Sequence, residues 1–318
     1  MKNLNFYFSR GAVILALFAV LGFTACSDDD NDDVVPSQKT IAEIVVGNND
    51  FSLLESALVH AGLSGVLDEE GTYTVFAPNN AAFAAAGLDS EAKIKALPVS
   101  TLKNILLYHV LGQKVPASAI ANASNTSVET LAKSNIFVTK NANGVFVNGA
   151  AVTQADVMAS NGVIHVINTV LMPAMGNIVE VAQGNPNFSF LVAAVLRASQ
   201  GSTNVAQVLT GAGPYTVFAP TNQAFMDAGF ATITAIQNAN PADLTAILTY
   251  HVIAGRIFSS DLTEGAKPET LNGGTLSISL NGGAKVKGNG NTTAATISQA
   301  NLMSSNGVIH VVDKVLLP

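Results

Sequence analysis

The chain has one cysteine, no tryptophan and few charges, with only 12% of its residues ionic. A single cysteine excludes an intrachain disulfide, so any folded domain must be held by packing. Sparse charge and a net −7 exclude the basic surface that nucleic acid needs. Aromatic residues at 6% leave little for a platform that stacks bases or sugars. No Gly-x-Ser-x-Gly elbow, P-loop or dinucleotide fingerprint occurs, so no cofactor is expected. What is present is apolar: 48% hydrophobic residues over 318 positions, enough for about two packed domains.

Residues 1–25 carry an address. Lys2 and Arg10 precede an apolar run from Ala12 to Leu21, and the small residues Thr24 and Ala25 follow. That order is the one found in a secretory signal peptide. The run is too short for a bilayer span, which needs about 20 residues. The lone cysteine, Cys26, comes next and resembles the lipidated cysteine of a bacterial lipobox, although Phe23 replaces the usual Leu; a free thiol inside an ordinary signal peptide is the alternative. Residues 26–37 then read as a tether, since the run Ser27 to Asp33 holds five aspartates and cannot bury itself. It resembles the acidic export signal that carries lipoproteins to the outer face of the outer membrane in Bacteroidetes. The expected partner of the N-terminus is therefore a membrane, reached through a lipid. A surface-displayed protein is expected, with a periplasm-facing anchor as the alternative.

The remainder is written twice. Tyr73-Thr-Val-Phe-Ala-Pro78 recurs as Tyr215-Thr-Val-Phe-Ala-Pro220, 142 residues later. Ile41 to Ile44 matches Ile178 to Val181, and Phe51 to Leu54 matches Phe188 to Leu191. Tyr108-His109 matches Tyr250-His251, and Asn161-Gly-Val-Ile-His-Val166 matches Asn306-Gly-Val-Ile-His-Val311. The offset shifts only in Gly-, Ser- or Asn-rich stretches, where loops tolerate insertion. Domains are set at 38–173 and 174–318, a closely coupled pair because the join is short.

Within a copy, helices come first and strands later. Phe51, Leu54, Leu58 and Ala61 recur at helical spacing. Leu102, Ile105, Leu106, His109 and Val110 form one helical face, as do Leu244, Ile247, Leu248, His251 and Val252. Asn240, Pro241 and Asp243 read as an N-cap, a first-turn proline and a capping-box acid; Ser100 stands near the same place in copy one. Asn143-Gly144 and Asn148-Gly149 are hairpin turns. Val163 to Val170, apolar on both faces, is a strand inside the sheet. The fold class is α+β: an antiparallel sheet or sandwich flanked by helices on one side.

Tyr-Thr-Val-Phe-Ala-Pro-Thr-Asn-x-Ala-Phe, the later Tyr-His and the Asn-Gly-Val-Ile-His-Val segment together resemble the signature of fasciclin domains. The resemblance covers residues 38–318 almost completely. It implies two tandem fasciclin domains, each a β-sandwich or wedge with a flank of helices. It also implies adhesion to cells, matrix protein or polysaccharide, with a protein or glycan ligand. Copy one departs at Asn79, where copy two keeps Thr221, which predicts a looser local turn.

Four histidines pair between copies: His109 with His251, and His165 with His310. Metal ligation needs clustered donors, and no His-Glu-x-x-His spacing occurs, so no metal is expected. Acid–base work needs a partner carboxylate, and the shared acids Glu43/Glu180 and Glu129/Glu269 lie far away in sequence. A non-catalytic protein is expected. Two readings of Tyr108, His109, Tyr250 and His251 stand side by side. Either they are packed, or, as the resemblance implies, one of each pair is presented as an adhesion contact, since adjacent helical residues point about 100° apart. Phe76, Pro78, His165, Phe218, Pro220 and His310 read as architecture, and Asn80 and Asn222 as side chains satisfying backbone at a turn or helix start. Adhesion by a surface lipoprotein is the leading function; a structural or assembly role within the envelope is the alternative.

Overall fold

The computed structural model describes residues 38–318, which pack as one compact body. The signal segment, Cys26 and the acidic run lie outside the described residues.

Copy one opens with α1 (Ile41–Val46) and α2 (Ser52–Ala61), then β1 (Tyr73–Pro78). Three more helices follow, α3 (Asn80–Ala85), α4 (Glu91–Lys95) and α5 (Val99–Tyr108). The strands β2 (Val110–Leu111), β3 (Thr126–Glu129), β4 (Asn135–Asn141), β5 (Gly144–Val147), β6 (Ala150–Ala159) and β7 (Gly162–Ile167) complete it. Copy two repeats the plan with α6 (Ile178–Gln183), α7 (Ser189–Ala198), α8 (Val205–Thr210) and β8 (Tyr215–Pro220). Next come α9 (Asn222–Asp227), α10 (Ile233–Gln237), α11 (Pro241–Tyr250) and β9 (Val252–Ala254). It closes with β10 (Ser277–Ser279), β11 (Lys285–Lys287), β12 (Ala295–Ser304) and β13 (Gly307–Val312).

The sheet order is β2-β1-β7-β6-β5-β4-β3 in copy one and β10-β11-β12-β13-β8-β9 in copy two. The expected antiparallel sheet needs one correction per copy: β1 runs parallel to β7, and β8 to β13. The connection from β1 to β7 is long, as a parallel pair requires, running through α3 to α5 and then through β2 to β6. The strand expected inside the sheet is there, since β7 is buried at every residue and flanked by β1 and β6.

Each sheet curls on itself. Bulges in β6 and β12 shift the register, and Asp156 (φ 58) and Asn301 (φ 64) take left-handed conformations there. A bulge bends the strand and increases its twist. Two cores result in each copy. One face of β1 and β7, with Val75, Ala77, Ile164 and Val166, packs under the helices. The other face, with Phe76 and Ile167, packs against Ile136, Val138 and Val147 of the curled-over strands. Copy two divides in the same way around Val217 and Phe218.

Local signals mostly act as read. Asn148 (φ 49) and Gly149 (φ 79) form the two-residue turn between β5 and β6. Asn240 accepts from the Ala242 N–H with Pro241 in the first turn, though Asp243 closes no capping box. Ser100 does not cap α5, which starts at Val99 with Pro98 at the N-cap position and no side-chain cap. The α5 helix also ends earlier than its apolar face predicts, because His109 caps it and Val110 enters β2.

The two copies meet through side chains. The Arg256 guanidinium lies 4.0 Å from the centre of the Phe137 ring, and Phe137 also packs on Phe258. Asn125 donates to the Arg256 carbonyl at 2.8 Å. Gly149 leaves no room for a Cβ, because the Asn301 side chain occupies the space. Stacking of a guanidinium on a ring contributes more where water is excluded.

Candidate functional site

The Tyr-His pair sits where α5 or α11 runs into the sheet. Both members are buried in both copies: Tyr108 is 1% exposed, His109 3%, Tyr250 0% and His251 2%. The expectation that one of each pair is presented as an adhesion contact is corrected. The curled sheet puts a second core beneath the helix end, so Tyr and His point to different interiors rather than to an interior and a surface.

The tyrosines bolt the helix to the far strands. The Tyr108 hydroxyl donates to the Asn135 carbonyl at 2.9 Å and accepts from Asn148 Nδ2 at 3.0 Å. Burial pushes its pKa up. The Tyr250 hydroxyl donates to the Thr275 carbonyl at 2.6 Å and accepts from the Asn289 N–H at 2.9 Å.

The histidines bolt the helix to the tail of each copy. His109 Nδ1 faces the Ile105 carbonyl at 2.8 Å and must donate; its Nε2 accepts from the Leu171 N–H at 2.9 Å. His251 does the same with the Ile247 carbonyl and the Leu316 N–H, both at 2.8 Å. These partners fix a neutral imidazole protonated at Nδ1. Burial lowers both pKa values to about 4, against the weaker upward pull of the carbonyl bond.

His165 and His310 serve the other core. His165 Nε2 donates to the Val115 carbonyl at 2.9 Å, Nδ1 accepts from Asp156, and the ring stacks on Phe76. His310 donates to the Ile257 carbonyl at 2.8 Å and packs on Phe218; burial lowers its pKa to about 4. All four rings have both nitrogens occupied, so none offers a lone pair to a metal or a proton to a substrate. Among the described residues no group of three His, Cys, Asp or Glu side chains could hold a metal ion.

Asn80 and Asn222 satisfy backbone at a helix start, but at the start of a distant helix. Asn80 accepts from the Leu53 N–H and donates to the Asn49 carbonyl; Asn222 accepts from the Phe190 N–H and donates to the Pro186 carbonyl. The residue before each does the local capping. Asn79 accepts from Ala82 at 2.9 Å and Thr221 from Ala224 at 3.2 Å, so the looser turn expected at Asn79 is not found. Pro78 and Pro220 end their strands, and Phe83 and Phe225 are buried in the helices that follow.

Two residues were quoted in the motif but given no role, Asn161 and Asn306. Asn161 accepts from the Ile41 N–H and donates to the carbonyls of Leu67 and Glu69. Asn306 makes the matching three bonds to Ile178, Leu209 and Gly211. From the turn between the last two strands, each ties the first helix of its copy to the segment that leads into β1 or β8. Their repetition in both copies was the available signal.

Comparison with known proteins matches the fasciclin domain family model over residues 49–173 and 186–318. The transforming growth factor-beta-induced protein ig-h3 of Sus scrofa is 29% identical over 79% of this chain, which spans 35% of that protein's length. Protein sll1483 of Synechocystis is 43% identical over 44% of this chain and 73% of its own. A solved FAS1 domain pair from the insect cell adhesion molecule Fasciclin I has a TM-score of 0.40 at 18% identity, covering 87% of this chain and 96% of that one.

Proposed function

The chain belongs to the fasciclin domain family, and from that premise we propose that it is a non-catalytic adhesion protein held at the cell surface by a lipid on Cys26. The observation that carries this reading is the repetition of a whole fasciclin module behind an N-terminal address. Support comes from the four histidines that pair between the copies, His109, His165, His251 and His310, whose ring nitrogens are all bonded to backbone inside the fold. Among the described residues no helix is long and apolar enough to cross a membrane. A lipid on Cys26 supplies the attachment in this reading, and the aspartates after it supply a solvated spacer.

The ligand class is a cell surface, a matrix protein or a polysaccharide. Because the Tyr-His pairs are buried, the contact falls to exposed side chains and loops. Purified 38–318 is expected to be retained on surfaces coated with whole cells or matrix polymers. Retention on none of them, together with in-cell cross-linking to one stoichiometric envelope protein, would replace adhesion with an assembly role.

The anchor has its own test. Cys26→Ser is expected to move the protein from the membrane fraction to the soluble fraction. Undiminished membrane association of that variant would remove the lipid from the account. Protease shaving of intact cells is expected to degrade residues 38–318, and full protection would place them in the periplasm.

A further inference from the structure

The helical flank of copy two holds a partly open apolar cavity of about 100 Å³. Its walls come from α6, α7, α8, α11 and β8, and include Ala182, Val195, Leu209, Val217 and Leu248. His251 also borders it, but both its nitrogens are bonded to backbone. No charged side chain lines it, and Leu196, 55% exposed, stands on its wall at the surface.

In copy one, the gap left beside the matched residues Leu58, Leu67, Leu106 and Val110 is only about 10 Å³. The matched sequences explain why. Val45 stands where copy two has Ala182, and Leu58 where it has Val195. Both larger side chains are packed away, Val45 at 0% and Leu58 at 7% exposure. Copy two therefore lacks three carbons that copy one packs inside. The walls around the gap have no partner atoms on one side and lose those contacts. Water gains little there, since it needs about two to four polar partners and such apolar cavities stay dry.

We propose that this cavity binds the end of an uncharged alkyl chain, about four carbons of it. An engineered apolar cavity of about 150 Å³ takes the six carbons of benzene, so about 100 Å³ takes about four. The space is too small for drug-sized ligands, whose sites measure about 300–1,000 Å³. The absence of charge on the wall excludes a carboxylate or ammonium at the buried end. The site is independent of the adhesion reading, since it concerns the interior of one copy.

The test uses the 38–318 body and 1-hexanol, followed by the NMR shifts of side-chain methyl groups. Saturable shifts are expected at Leu209, Val217 and Leu248, with none at Leu67, Val75 and Leu106 of copy one. The double substitution Ala182→Val and Val195→Leu, which installs the residues of copy one, is expected to weaken binding at least tenfold. If that variant folds poorly, Ala182→Val alone fills most of the space and carries the comparison. Equal shifts in both copies, no saturation up to the solubility of hexanol, or undiminished binding by the filled variant would overturn the proposal. Saturable binding of benzene without hexanol would overturn the alkyl class.

Discussion

Lowering the pH from 6.5 towards 4 is expected to destabilise the 38–318 body steeply. His109, His251 and His310 are held neutral down to about 4, whereas an unfolded imidazole takes up its proton near 6.5. In that window the unfolded chain binds more protons than the folded one, so acid favours unfolding. Above 6.5 the full contribution is present; below about 4 it is gone. Each histidine is worth about 3 kcal/mol over the window, at about 1.4 kcal/mol per pH unit and proton. Urea unfolding at pH 7, 6 and 5 measures it. His251→Asn keeps a donor near the Ile247 carbonyl, and leaving the Leu316 N–H unpaired costs about 1–3 kcal/mol at pH 7. It should also flatten the pH dependence by about one proton. Stability that stays constant from pH 7 to pH 5 would show that these rings are not held neutral by burial.

The second large effect concerns a single hydrogen atom. Gly307 lies where β13 begins, and a Cβ there would drive into the Tyr215 carbonyl oxygen of β8 and reach 2.9 Å from Ile178 Cδ1. Gly162 stands in the same relation to Tyr73 and Ile41. The obstacle is strand backbone, which cannot swing aside as the end of a side chain can. Gly307→Ala is expected to cost about 3–5 kcal/mol and to lower the melting temperature of copy two by roughly 10 °C or more. Gly65→Ala is the control, because a Cβ there meets nothing within 4 Å; it should change stability by less than about 0.5 kcal/mol. A Gly307→Ala protein as stable as the parent would mean that the parallel pair is spaced differently.

That glycine shows what was legible in the sequence. The motif Asn-Gly-Val-Ile-His-Val and its repetition marked the segment as a strand inside the sheet, because apolar residues on both faces need cover on both. Nothing local could mark its parallel neighbour, since Tyr73 pairs with Gly162 across three helices and five strands of intervening chain. Hairpins were readable because their turns act over two residues: Asn148-Gly149 is one such turn, and the one marked by Asn143-Gly144 falls one residue earlier, at Ala142-Asn143, with Gly144 opening β5. The buried Tyr-His pair was not, because helical periodicity gives an angle between neighbours and says nothing about a second core on the far side. The cavity falls between these cases. Val45/Ala182 and Leu58/Val195 can be compared by eye, yet whether missing carbons leave a hole depends on how far the walls relax.

The seam made by Arg256 on Phe137, with Asn301 filling the place of a Gly149 side chain, has a geometrical consequence. Two modules joined by a slack linker sample many separations, so either can find a second ligand within reach. Two modules locked at a seam behave instead as a gauge of fixed span. In the adhesive role proposed above, a polymer or a receptor array would engage both at once only if its own repeat matched that span, and others would be held by one module at a time.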